Sequence, residues 1–271
     1  MKFLNSIICY NNSDEVVRFI EKMLKIKKED LSFAVVVNAG TIKDKRALEK
    51  LSVREGRAKV SVYIPKKNLG YLNGLLYGYK HFIKEHFEPD YVIFSNTDIE
   101  IPDKDFFDKF EARNYSENIG CIGPSVFVRE RNAYDNPICD DRRPVEEIDR
   151  LVRILSIPVI RGLYVNLSDY KGRITRRNKT ESRFVYEVHG CYFILSNRFA
   201  RVLARKKYGA LMYSEEAYIA ENIRKYGFKT FYDSDLEVVH LEHSVTKGLK
   251  GEGIAKHIRS SMKMIREEFY T

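Results

Sequence analysis

Three places along the chain carry residues of a type and setting that suit chemistry. The apolar run Tyr91-Val-Ile-Phe ends in Ser95-Asn96-Thr97-Asp98 and is closed by Pro102. Tyr91 to Phe94 show no polar alternation, the pattern of a strand covered on both faces in a parallel sheet. Ligands of open α/β sheets bind beyond the carboxyl ends of the strands, so Asp98 stands where a carboxylate would hold a phosphate-bound cation. The same Asp can instead cap a turn or the helix starting near Asp103. Glu215-Glu216 follow Tyr213-Ser214 at the start of a helical pattern, where adjacent carboxylates also suit the positive end of the helix dipole. His240 ends the apolar segment 236–240, and its partners decide whether such an imidazole ligates or only packs.

The elements that must position these residues alternate. Residues 3–9 read as a buried strand that exits into Tyr10-Asn11-Asn12-Ser13, a turn cluster and helix start. Val16, Ile20 and Met23-Leu24 then recur at helical spacing, with Asp14-Glu15 ahead and Lys25, Lys27 and Lys28 behind. Further strands are predicted at 31–37, stopped by Asn38-Ala39-Gly40, and at 60–64, stopped by Pro65. This alternation predicts a doubly wound parallel sheet. Asn68-Leu69-Gly70 leads into a segment with Gly70, Gly74 and Gly78 four residues apart, a stripe that admits either a bound diphosphate or close helix-to-sheet packing. Residues 184–188 and 192–195 read as strands flanking His189-Gly190. A helix follows Glu215-Glu216, with Ile219, Ile223 and Tyr226 inward and Gly227 as its C′ residue. Residues 228–232 and 236–240 are the last strand segments. Ile254, Ile258, Met262, Ile265 and Phe269 mark a C-terminal amphipathic helix, packed on its own domain or lying on anionic lipid.

The totals bound the class. At 271 residues, 44% hydrophobic and 13% aromatic, the chain suits one large α/β domain and excludes a disordered one. Lys+Arg 47 against Asp+Glu 38 gives +9, which points to an anionic partner. Residues 129–183 read as an irregular, charged insertion or mobile loop, with six Lys or Arg against one Glu between 171 and 183. Cys9, Cys121, Cys139 and Cys191 are widely spaced and read as reduced residues of a cytoplasmic protein. No segment has the ~18 apolar residues of a membrane span.

The succession Tyr10-Asn11, Asn68-x-Gly70, Asn96-Thr97-Asp98, Gly190, Glu215-Glu216 before Arg224-x-x-Gly227, and His240 resembles the family-2 glycosyltransferases of the GT-A fold. The resemblance is particularly to the rhamnosyl- and galactofuranosyl-transferase-like branch of surface polysaccharide synthesis. The resemblance runs from Phe3 to about Ser244 and omits 129–183. It implies a three-layer, Rossmann-like GT-A domain over 1–244 with a mostly parallel sheet, an inserted basic loop and a C-terminal helical extension over 245–271. It further implies that Asp98 and His240 hold Mg²⁺ or Mn²⁺ on the donor diphosphate, and that Glu216, beside Glu215, is the catalytic base. Tyr10, Asn11, Asn38, Asn68, Gly70, Asn96 and Thr97 would line the nucleotide-sugar donor. The chain departs from the family at Val37-Asn38, where an Asp usually stands, at Leu75-Leu76 inside the glycine-rich helix, and in having Glu-Glu as its paired acid.

The implied reaction is chemically coherent. A cation offsets the charge that gathers on a leaving diphosphate, and a carboxylate on the opposite side takes the proton of the attacking hydroxyl, which inverts the anomeric centre. The acceptor would be a glycan or a lipid-linked sugar, with the basic segment and the C-terminal helix near the inner face of an anionic membrane. The competing readings are a nucleotidyltransferase, which usually opens on a glycine-rich phosphate loop absent from 10–15, and a non-catalytic protein binding nucleotide sugars or anionic glycans. The basic residues are dispersed, without a recognition motif for nucleic acid.

Overall fold

The computed structural model describes residues 1–27, 29–38, 46–48, 58–158, 160–164, 167, 177–242 and 251–270. Ser244 and residues 171–176 of the basic segment lie outside them. The elements run β1 (Phe3–Cys9), α1 (Ser13–Ile26), β2 (Leu31–Val37), β3 (Val60–Tyr63), α2 (Tyr71–Glu85), β4 (Tyr91–Ser95), β5 (Ile99–Glu100), α3 (Phe106–Ala112) and β6 (Ile119–Val128). They continue with β7 (Ala133–Tyr134), α4 (Val145–Ser156), β8 (Arg183–Val185), β9 (Tyr192–Ser196), α5 (Asn197–Leu203), α6 (Glu215–Lys225), β10 (Lys229–His240) and α7 (Gly251–Phe269).

One sheet in the order β3-β2-β1-β4-β9-β6-β10-β5 lies between two helical layers, with β7 on β6 and β8 on β10. Every residue of β2 is buried, because alternate side chains enter two separate cores. Phe3, Ile7 and Cys9 of β1 pack with Val16, Phe19 and Ile20 of α1 and Phe106, Phe107 and Phe110 of α3. Leu4 of β1, with Ala34 and Val36, packs instead with Leu72, Leu75, Tyr79 and Phe82 of α2 and with residues of α5, α6 and α7.

The parallel expectation holds for β3-β2-β1-β4 and for β6 with β10. The sheet as a whole is mixed, because β9 runs antiparallel to both β4 and β6. That reversal has a consequence for the site. β1, β2, β4, β6 and β10 all point the same way, so Tyr10, Asn38, Asn96 to Asp98 and His240 leave the sheet at one rim. β9 starts at that rim and so adds His189, Gly190 and Cys191 to it.

The segment expected to be irregular contains α4, whose Ile148 and Leu155 are buried. Its apolar residues recur at helical spacing (Ile148, Leu151, Val152, Leu155) and meet α7. Asp149 is paired with Arg266 at 2.9 Å. Ala255, Met262, Ile265 and Phe269 of α7 are buried, so its apolar stripe is covered by the domain. Tyr226, expected inward, is 39% exposed, because the helix closes at Gly227 (φ 72°) and Tyr226 faces out beside Lys206. Gly74 and Gly78 serve packing, since added side chains would meet Ile8 and Ser6 of β1. None of the four cysteines, all among the described residues, is in a disulfide. Among the described residues no helix is long and apolar enough to cross a membrane.

Candidate active site

Asp98 follows β4 and is 6% exposed; His240 ends β10 and is 9% exposed. Residues 99 and 240 pair across β5 and β10, and the Asp98 carbonyl accepts from the Leu241 N–H at 3.0 Å. Two backbone contacts thus fix both side chains, with His240 Nε2 3.4 Å from Asp98 Oδ1. Among the described residues neither ring nitrogen of His240 has a hydrogen-bond partner. A buried polar atom left this way costs free energy unless a ligand satisfies it.

Among the described residues no three His, Cys, Asp or Glu side chains are grouped to hold a metal by themselves. The donor set here is one carboxylate and one imidazole. Such a pair suits a divalent cation that takes its other ligands from water and from the phosphates of a substrate. The unsatisfied imidazole is the feature that fits it.

Asn96 and Thr97 hold the turn. The Asn96 N–H donates to the Cys191 carbonyl at 2.9 Å, and its Oδ1 accepts from the Tyr71 hydroxyl at 2.8 Å. Thr97 donates to the Glu15 carboxylate and accepts from Asn12 Nδ2 at 3.2 Å. Tyr71 OH also reaches the Gly190 carbonyl at 3.4 Å. Burial first, then the nearby Glu215, Cys191, Glu216 and Asp98, hold this phenol well above its usual range. Asp98 and both glutamates thus act on one hydroxyl at this rim.

Glu216 begins α6 and accepts from the Gly190 N–H at 3.2 Å. Gly190 is needed there, because a Cβ on it would lie 2.8 Å from Glu216 Cδ. The approach to the helix is unusual, since Tyr213 and Ser214 both adopt left-handed φ (70° and 63°). Non-glycine residues persist in that region only where surroundings enforce it, and Ser214 is held by the Ser261 hydroxyl at 2.9 Å. Burial, with Glu187 beside it, pushes the Glu216 carboxyl up to about 7. Burial and then Glu216 push Glu215 up to about 8, and among the described residues Glu215 Oε1 has no hydrogen-bond partner.

A carboxyl raised in the fold contributes stability that is present below its unfolded value and lost as pH rises through its folded one. Glu215→Gln is therefore expected to leave stability near wild type at pH 5 and to gain on the order of 2 kcal/mol, or roughly 5 °C in Tm, at pH 8.5. Thermal scans of both proteins across that range check it, and a gain that does not grow with pH would contradict the assignment.

The other expected donor residues divide into two kinds. Tyr10 is 40% exposed at the end of β1, and Asn11 follows with φ 58°. Asn38 is buried and its amide is spent on the chain: Oδ1 accepts from Leu69 N at 2.8 Å and Nδ2 donates to the Gly70 carbonyl at 3.0 Å. Asn68 Oδ1 accepts from Gly70 N at 2.8 Å, closing the same loop. Gly70 has φ 79°, and a Cβ on it would overlap the Leu211 carbonyl oxygen. Gly70→Ala is expected to cost about 2 kcal/mol, read as a lowered urea midpoint.

Several residues of the site were not singled out from the sequence. His189 lies 5.8 Å from His240 ring to ring, and burial with the His240 charge pushes it down to about 4. Its Nδ1 accepts from Cys191 N at 3.1 Å, which defines a neutral ring. Glu187, 5% exposed, is 3.5 Å from Arg143, and both act on the charge of Glu216. The dipeptide His189-Gly190 was the available signal. Tyr71 and Arg143 had none, since only folding brings them to the rim.

This architecture, a mixed sheet between helical layers with a polar rim at β4, β9 and β10, is the GT-A fold. It is similar to the mannosyltransferase PcManGT from Pyrobaculum calidifontis in complex with GDP-Man and Mn²⁺, at TM-score 0.53 and 11% identity over 88% of this chain and 56% of that one. It is also similar to GalNAc-T7 with UDP, GalNAc and Mn²⁺, at TM-score 0.57 and 13% identity over 100% and 56%. A third likeness is to S. aureus TarS 1–349, at TM-score 0.51 and 12% identity over 89% and 60%. The chain spans 56 to 60% of the length of these three. No protein-family model matches the sequence, and no curated protein matches it.

Proposed function

We propose that the chain is a metal-dependent, inverting glycosyltransferase that moves a sugar from a nucleotide-diphosphate donor to a hydroxyl of a glycan or lipid-linked acceptor. The observation that carries the proposal is the buried Asp98–His240 pair, 3.4 Å apart with the imidazole free of hydrogen bonds, on the same rim as Glu216. Solved proteins of this fold bound to Mn²⁺ with GDP-Man, or with UDP and GalNAc, support it.

Asp98 and His240 would hold the divalent cation, which when bound neutralises charge on the leaving diphosphate. The backbone pairing of β5 with β10 keeps the two ligands at fixed separation before any donor arrives. Tyr10, Asn11 and the Asn68–Gly70 loop bound the donor side, and Asn38 acts by clamping that loop. Asn96 and Thr97 act by setting the turn that carries Asp98. Glu216, fixed by the Gly190 N–H, takes the proton of the acceptor hydroxyl at Oε1 or Oε2. Its raised proton affinity near neutrality suits a base that must hold and then release a proton.

Incubation of the chain with a panel of nucleotide sugars, with and without Mn²⁺, tests this. A productive donor should raise Tm only with the cation and release free nucleoside diphosphate. Stabilisation without any release over long incubation, with acceptor glycans supplied, would instead define a binding protein.

A further inference from the structure

Two stretches of the chain are basic without any carboxylate of their own. Residues 65–84 hold Lys66, Lys67, Lys80 and Lys84, and residues 197–214 hold Arg198, Arg201, Arg205, Lys206 and Lys207, with no Asp or Glu in either.

The fold sets the two stretches side by side. Asn73, Tyr77 and Lys80 share one face of α2, and the connection after α5 lies against it. Asn73 fastens that contact: its Nδ2 donates to the Tyr208 carbonyl at 2.8 Å and its Oδ1 accepts from Tyr208 N at 3.0 Å. Between them is a cavity of about 410 Å³ whose charged lining residues are Lys67, Lys80, Lys206 and Lys207, with no carboxylate. Arg198 and Arg201 are tied to Glu117 and Glu88. Among the described residues the four cavity lysines have no ion pair; Lys206 lies over the Tyr226 ring at 5.0 Å. Unneutralised ammonium groups around a concave surface focus positive potential into it.

The cavity borders the proposed active site where the Gly70 loop meets Leu211. Asn68 lines it and also closes the Gly70 loop, and Leu211 lines it while accepting from Tyr71 N at 2.8 Å. Glu215 and Glu216 follow Leu211 by four and five residues.

We propose that this cavity binds a phosphate or diphosphate ester of the acceptor, so that the acceptor's hydroxyl is delivered toward Glu216 from the Lys80 side. The identity of the occupant as acceptor rests on the sugar-transfer reading; the binding of the anion does not. A concave site lined by four lysines fits a discrete phosphate group, whereas a bilayer presents a plane of charge.

The test titrates inorganic diphosphate into the full chain in EDTA, which removes cation-dependent binding at Asp98, with calorimetry as the readout. Wild type should bind, and more weakly as salt rises. Lys80→Glu with Lys207→Glu, both on exposed residues, should lower affinity at least tenfold at unchanged Tm. Asp98→Ala should bind as wild type. Unchanged affinity in the double variant, or loss in Asp98→Ala, would overturn the proposal. Tighter binding of farnesyl diphosphate than of inorganic diphosphate would assign the group to a lipid-linked acceptor, and tighter binding of glycerol 3-phosphate to a phosphate-bearing glycan; either supports the site. Flotation with phosphatidylglycerol vesicles that the double variant abolishes and diphosphate does not compete would overturn it in favour of a bilayer. Release of nucleoside diphosphate to water should be the same in wild type and the double variant. If that release is absent from both while diphosphate binds, the transfer reading fails and the anion site stands.

Discussion

Glu216→Gln is expected to lower turnover by roughly 10²- to 10⁴-fold while leaving the dissociation constant of the donor within about twofold. The amide is nearly the same size and can still accept from the Gly190 N–H through its oxygen, so the approach of α6 to Gly190 is kept. What it loses is the ability to take a proton. The wild-type rate should also fall as pH drops through about 7, because burial raises the Glu216 carboxyl to that region and the protonated acid is no base. Bound cation and donor would alter that limb, so the comparison is made in kcat/KM, which reports the free protein. The Gln variant should show no such limb in its residual rate. Near-normal turnover would remove Glu216 from the mechanism and leave its carboxylate with a structural part only.

Asp98→Ala should abolish Mn²⁺-dependent donor binding and lower transfer by at least 10³-fold, the scale of losing electrostatic stabilisation at a leaving group. His240 alone would then face a cation that prefers oxygen, and one imidazole does not compete with water for it. The expected signature is a lost Tm increase with donor and Mn²⁺, measured on a variant whose Tm alone is close to wild type. The backbone contact of Asp98 with Leu241 survives the substitution, so β5 and β10 remain paired. His240→Ala should give a milder version of the same loss, since the carboxylate remains. If Asp98→Ala still binds donor in a Mn²⁺-dependent way, the cation site lies elsewhere.

Much of the framework was legible before folding. β4 announces itself by the unbroken apolar run Tyr91 to Phe94 and β2 by one interrupted only at Ser32, and every residue of β2 is buried. Gly227 closes α6 with φ 72°, as its place after Arg224-x-x predicts. The acidic pair 215–216 and the Asn96–Asp98 turn also stood out, because each sits where a local pattern changes. α4 was missed although its apolar spacing is helical, since the charge around it outweighed the periodicity. Asn38 was taken for a donor contact and turns out to clamp a loop, because a side chain's partners thirty residues away leave no local mark.

The sequence by itself determined which segments become strands and helices and which side chains end them, since these follow from short-range periodicity, turns and caps. It did not determine that β9 runs against its neighbours and brings His189 and Gly190 to the rim, or that Tyr71 sits among the acids. Nor did it decide that two lysine-rich stretches enclose one cavity. Those depend on strand order and on contacts between residues far apart in the chain, and only the packed chain has them.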